Sequence, residues 1–162
     1  MSNNKNVKPI PEGYHTITAE LTLTPADKAL EFYKKAFNAE FRPPFKGPDG
    51  KVMHAEMKIG DSFFFVVDEF PGMGTTRSPK SVGASTCTLH LYVKDVDAAF
   101  KKAIEAGATV TMPLADQFWG DRYGRLRDPF GQEWSLATHK QDFTPEEMMK
   151  RGQEAMAAMA KK

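Results

Sequence analysis

The chain is written twice. Sliding it against itself by 70 positions lays Leu21 on Leu91, Asp27 on Asp97, Ala29 on Ala99 and Leu30 on Phe100. At 69 positions Asn38-Ala39-Glu40-Phe41 falls on Gly107-Ala108-Thr109-Val110; at 71, Gly60 falls on Gly131, Phe63 on Trp134 and Phe65 on Leu136. Few of these pairs are identities. The near-constant offset, carried through strand, helix and hairpin patterns alike, is what marks an internal repeat. In a chain of 162 residues it leaves room for two copies of one small supersecondary unit.

Each copy reads strand, helix, strand, hairpin. Ile17 to Leu23 alternates, with Ala19, Leu21 and Leu23 on one face and Thr18, Glu20 and Thr22 on the other; Thr88 to Val93 does the same. That is the period of a half-buried strand. A helix follows each. Thr24 is placed to cap the first, Pro25 and Asp27 suit its first turn, and Leu30, Tyr33 and Phe37 form its buried stripe. The second starts at Asp95, carries Val96, Ala99, Phe100, Ala103 and Ile104 inward, and stops at Gly107. These signals predict helices over 25–37 and 95–106. A short strand comes next, 39–43 in the first copy and 109–112 in the second. The hairpins are 52–59 with 62–68 about Gly60-Asp61, and 124–127 with 133–138 about Asp128-Pro129-Phe130-Gly131.

The domain reading is therefore an N-terminal tail over 1–13, a first module over 14–70, a Gly-, Pro- and Ser-rich mobile linker over 71–86, a second module over 87–140, and a helical tail over 141–162. Thr144-Pro145-Glu146-Glu147 opens that last helix as a capping box. Met148, Gly152, Ala155, Met156 and Met159 recur on one of its faces, for packing on the body or for a partner.

With 22 basic and 21 acidic side chains the formal charge is +1, which offers no field for nucleic acid or a membrane surface. Cys87, the only cysteine, excludes an internal disulfide and reads as a buried structural residue. The polar stretch Met1 to Lys8 lacks a signal peptide's apolar run, so a cytoplasmic protein is expected.

Several segments now resemble one family: Ala29-Leu30-Glu31-Phe32-Tyr33, His54-Ala55-Glu56-Met57-Lys58-Ile59-Gly60-Asp61, Val93-Lys94-Asp95-Val96-Asp97, Trp119-Gly120-Asp121-Arg122-Tyr123-Gly124, and Asp128-Pro129-Phe130-Gly131 with Trp134-Ser135-Leu136. The chain resembles the vicinal-oxygen-chelate superfamily of glyoxalase I, extradiol dioxygenases and bleomycin-resistance proteins, in its PhnB-like branch. The resemblance implies an α+β fold: two tandem βαβββ modules forming curved mixed sheets around a cavity, plus a C-terminal helix. It also implies that metal-dependent relatives place ligands at positions that here are Thr18, Phe64, Thr88 and Ser135. None of these is a residue that ordinarily holds a divalent ion, so no cofactor is expected.

The alternation itself puts Glu20, Thr22, His90 and Tyr92 on the cavity wall. Parity with Phe64 and Ser135 adds His54, Glu56, Arg125 and Arg127. Trp119 and Tyr123 are placed to stack on a planar ligand, and Arg122 to hold an anion. The candidate ligand-binding set is thus Glu20, Thr22, His54, Glu56, Phe64, His90, Tyr92, Trp119, Arg122, Tyr123 and Arg125. Three functions compete. One is a metal-free module that binds a small amphipathic or aromatic molecule. Another is a lyase or dioxygenase-type enzyme whose divalent metal is displaced roughly 6–7 Å along the strands, onto Glu20, His54, Glu56 and His90. The third is a metal-free acid–base enzyme using Glu20 and His90 as catalytic residues. The sheet edges and the pairing of modules in relatives point to a homodimer.

Overall fold

A computed structural model describes residues 7–160. The chain divides into two compact units, Met1–Gly83 and Ala84–Lys162. In the first, β1 (Glu20–Leu23), α1 (Ala26–Phe37), β2 (Glu40–Phe41), β3 (Phe45–Lys46), β4 (Val52–Ile59) and β5 (Ser62–Asp68) precede a one-turn helix, α2 (Pro79–Val82). In the second, β6 (Thr88–Tyr92), α3 (Val96–Ala106), β7 (Thr109–Asp116), β8 (Asp121–Arg127) and β9 (Glu133–His139) precede α4 (Pro145–Met159). The sheet orders correspond: β1-β5-β4-β2, with β3 also on β4, and β6-β9-β8-β7. In each, the first strand runs parallel to the last and the other pairs are antiparallel.

Each helix covers one face of its sheet. α1 buries Ala29, Leu30, Phe32, Tyr33 and Ala36 against Leu21, Leu23, Met57, Phe64 and Val66. α3 buries Val96, Phe100 and Ala103 over Leu126, Trp134 and Leu136. Removing the Val, Leu, Met and Phe side chains among these from water supplies about 1.5–3 kcal/mol each. The stop signals act as expected: Asn38 at φ 55° and Gly107 at φ 117° turn the chain out of the helices. Asp95 accepts the Ala98 amide as the N-cap of α3, and the Thr144–Glu147 capping box opens α4.

The cap of α1 departs from expectation. Thr24 makes no capping bond; the buried Asp68 carboxylate accepts the Ala26 amide at 3.0 Å and the Val52 amide at 2.8 Å. In the second unit Thr138 Oγ1 takes the equivalent Val96 amide at 2.9 Å. The repeat therefore extends to its capping partners, Asp68 and Thr138, which lie one repeat apart.

Two other expectations change. The stretch after Asp68 is anchored: buried Glu69 accepts from the Ser78 amide, the Ser78 and Ser81 hydroxyls and the Arg77 guanidinium, which organises α2. Cys87 is exposed rather than buried. It lies before β6, where its carbonyl binds Ser85 and Gln132 while the thiol meets no core.

Candidate functional site

The face of the second sheet away from α3 carries a cluster of rings. Strand alternation and the β6–β9–β8 register place His90, Ser135 and Arg125 in one row and Tyr92, Ala137 and Tyr123 in the next. The His90 ring meets Tyr92 edge-on at 4.5 Å and stacks with Tyr123 at 5.9 Å. Trp119 closes the series edge-on to Tyr123 at 5.5 Å. Its loop reaches this position because Gly120, at φ 100°, has no side chain where the Gln141 carbonyl passes. Gly124 lies mid-strand in β8, where Phe100 of α3 presses on it.

A side chain absent from the expected set organises these rings. Asp121, almost fully buried, accepts the Trp119 Nε1–H at 3.0 Å and the Tyr92 hydroxyl at 3.2 Å on one oxygen. His139 Nδ1 lies 2.7 Å from the other. Burial, then the negative Asp121, raise the Tyr92 phenol pKa. Hydrogen bonds to Asp121 and then Asp142 raise that of His139. His90 is exposed at the sheet edge, yet its partial desolvation among Tyr92, Tyr123 and Ser135 lowers its pKa. Its Nδ1 is 2.8 Å from Ser135 Oγ. Arg125 binds Thr88 Oγ1 at 2.9 Å, and Arg127 pairs with Glu133 at 2.6 Å. Arg122 is committed elsewhere: Asp97 at 2.6 Å and Asp116 at 3.4 Å hold it on the opposite face, so it is not the free anion site expected of it.

On the first sheet, Glu20, Phe65 and Glu56 form one cross-strand row, with Thr22 beside Val67 in the next. His54 Nε2 is 3.9 Å from Glu56 Oε1, and its ring lies 4.9 Å from Phe65. Phe64 belongs to the other side: it is 6% exposed and packs edge-on against Tyr33 of α1. The two hairpin turns explain the correction. Between the paired residues Lys58 and Phe63 lie four residues, and between the equivalent Arg127 and Glu133 lie five, so Met57 matches Leu126 at 69 positions while Phe64 matches Trp134 at 70. Aligning the turn glycines at 71 slipped the last strand by one residue, which inverts every side chain. Phe65, not Phe64, is the counterpart of Ser135. Before β1, residues 9–18 lie over this face and enclose a hollow of about 600 Å³ with Arg42, Glu56, Phe63 and Phe65. Tyr14, Arg42, Phe63 and Phe65 were not among the expected site residues; a corrected strand parity would have found the two phenylalanines.

Comparison with known proteins gives the architecture a family. The profile of the Glyoxalase/Bleomycin resistance protein/Dioxygenase superfamily matches residues 17–136. The chain belongs to this superfamily. Among relatives in the superfamily, the uncharacterized protein Rv0887c of Mycobacterium tuberculosis is 45% identical over 122 residues, 74% of this chain and 72% of that protein. TioX from Micromonospora sp. ML1 superposes with a TM-score of 0.62 at 26% identity, covering 77% of this chain and 98% of its own. Two further structures share the fold: a PhnB protein from Bacillus cereus, with a TM-score of 0.60 at 21% identity over 76% of this chain and 99% of its own, and TnmS3, an antibiotic binding protein from Streptomyces sp. CB03234, with 0.58 at 22% over 78% and 96%.

The superfamily's metal does not fit the residues present. With the register corrected, the ligand positions hold Thr18, Phe65, Thr88 and Ser135, three hydroxyls and a phenyl ring. Glu20 and Glu56 sit two strands apart with Phe65 between them, about 10 Å of sheet. Among the described residues no three His, Cys, Asp or Glu side chains are grouped to hold an ion. No helix among them is long and apolar enough to cross a membrane.

Proposed function

We propose that this superfamily member is a small-molecule-binding protein that holds a planar, largely apolar ligand on the open face of its second unit without using a metal. The observation that carries this reading is the ring series His90, Tyr92, Tyr123 and Trp119, two members of which are fastened to the buried Asp121. Aromatic rings held in place before binding offer stacking area at little entropic cost. The half-buried Arg125 beside them provides a polar anchor of the kind such sites use. That TnmS3, of the same fold, is an antibiotic binding protein supports the class of ligand.

A fluorescence screen of planar aromatic and amphipathic compounds tests it. Trp119 is the responsive reporter and Trp134, buried and bonded to Asp128, the constant one. Trp119→Ala should weaken binding by about 1–3 kcal/mol, and Glu20→Gln should change it little. A screen in which Trp119→Ala leaves every affinity unchanged overturns the reading. The 2.8 Å contact of His90 with Ser135 keeps an acid–base enzyme using His90 as the second reading. Turnover of a bound compound that falls as pH drops and His90 protonates would favour it.

A further inference from the structure

Residues 9–18 begin in what reads as a featureless tail, but they are built onto the first unit. The Tyr14 ring stacks on Phe63 at 4.5 Å and 19°, and tilts against Phe65 at 5.8 Å. The Tyr14 amide closes a turn on the Pro11 carbonyl at 3.1 Å, and the Thr18 hydroxyl bonds the His15 carbonyl at 3.2 Å. Gly13 is essential to the approach. Its φ is +84°, and a Cβ there would stand 2.9 Å from Phe63 Cε2. The segment thus encloses a hollow of about 600 Å³, a size that suits a drug-sized molecule.

The chemistry of that hollow is specific. Ile10, Pro11, Phe63 and Phe65 are its apolar walls, and Arg42 and Glu56 are among its charged groups. The Tyr14 hydroxyl is shut away from solvent against the Glu56 carboxylate. Burial, then a hydrogen bond to Glu56 and that group's charge, raise its pKa. Buried hydroxyls are normally paired. With the Tyr14 O–H turned to Glu56, a ligand N–H or O–H would be accepted by that carboxylate, while the ligand's flat body lay along the rings.

We propose that residues 9–18 are a clasp forming part of a ligand site on the first unit, and that Tyr14 with Glu56 selects planar ligands bearing a hydrogen-bond donor. This rests on the small-molecule reading above and adds to it a second face and a ligand class.

The test uses the full chain with two probes: proflavine, a flat tricycle with amino donors, and anthracene-2-sulfonate, flat but without donors. Hydrogen exchange on the wild type should show the amides of residues 9–18 slowed by proflavine. Tyr14→Ala should weaken proflavine about tenfold and Tyr14→Phe, which keeps the ring, only about threefold. Gly13→Val should mimic Tyr14→Ala. Proflavine binding that depends on Trp119 but leaves residues 9–18 unprotected and ignores Tyr14→Ala overturns the clasp and leaves the binding function standing. Equal, Tyr14-dependent affinity for the sulfonate overturns the donor selectivity. Failure of both probes, and of every compound in the wider screen, overturns the binding function and the clasp together. The exchange measurement decides the matter even where a variant fails to fold.

Discussion

Buried carboxylates organise this protein residue by residue. Asp121 alone fastens Tyr92, Trp119 and His139. Asp121→Asn should free both rings and bring the His139 pKa back toward about 6.5, which an imidazole NMR titration would read. The two histidines of this unit should titrate on opposite sides of that value. His139, raised by Asp121 and Asp142, contributes stability that is fully present below the unfolded pKa and is lost as pH rises through its folded one. His90, lowered by desolvation, acts in the reverse sense: the unfolded chain takes up its proton more readily, so stability declines as pH falls through about 6.5. Comparing melting temperatures of His139→Gln and His90→Gln with the parent from pH 5 to 8 should give difference curves of opposite slope. Parallel slopes would contradict these assignments. Glu69 sets a third window. The Ser81 hydroxyl first, then the Ser78 amide and hydroxyl, hold its pKa near about 2. The anchoring of residues 77–81 should therefore persist well below the usual carboxylate range and fail only as pH falls toward 2. Hydrogen exchange of that segment in Glu69→Gln, already fast at neutral pH, would check the assignment.

At the scale of elements, the helix starts and stops were legible because they depend on neighbours a few residues away. Asp95, Gly107 and Thr144 behave as their types dictate. Thr24 misled because the amide it was placed to cap is taken by Asp68, 42 residues further along. Strand existence was likewise legible, but strand face was not. The unequal turns of the two hairpins shift the repeat by one position between β4 and β5, and with it Phe64 and Phe65 exchange sides. The contact of α3 with its sheet offers a direct test of packing. A Cβ at Gly124 would lie 2.8 Å from Phe100 Cε2 and 3.1 Å from the Met112 carbonyl oxygen. Gly124→Ala should therefore destabilise the protein by about 1–3 kcal/mol through overpacking, measured by urea denaturation. An unchanged midpoint would mean that α3 moves aside at no cost. On α4, Gly152 is buried and Met148 half-buried while Met156 and Met159 stay exposed, so the Met-rich face divides between docking and solvent.

For the whole molecule, the donor set implies that protein purified without chelator carries well under one divalent ion per chain, as elemental analysis would measure. A stoichiometric ion lost in both Glu20→Ala and His90→Ala would restore the displaced centre. We propose, from the four sheet edges at β1, β2, β6 and β7, that the chain pairs as a homodimer; sedimentation equilibrium at micromolar concentration should give twice the 18.1 kDa chain mass. Two copies of one strand–helix–hairpin unit, their element order and the superfamily were written in the order of the residues, since periodicity and capping are local. Which faces those elements turn to solvent, and what they meet there, was decided by closure in space. His90 and Ser135 are 45 residues apart, and Tyr92 and Asp121 are 29 apart, yet each pair shares a hydrogen bond. The folding of residues 9–18 onto Phe63 has no local pattern to announce it. Contacts of that kind form only once the sheet exists to receive them, so the polar hub and the clasp are products of the tertiary structure.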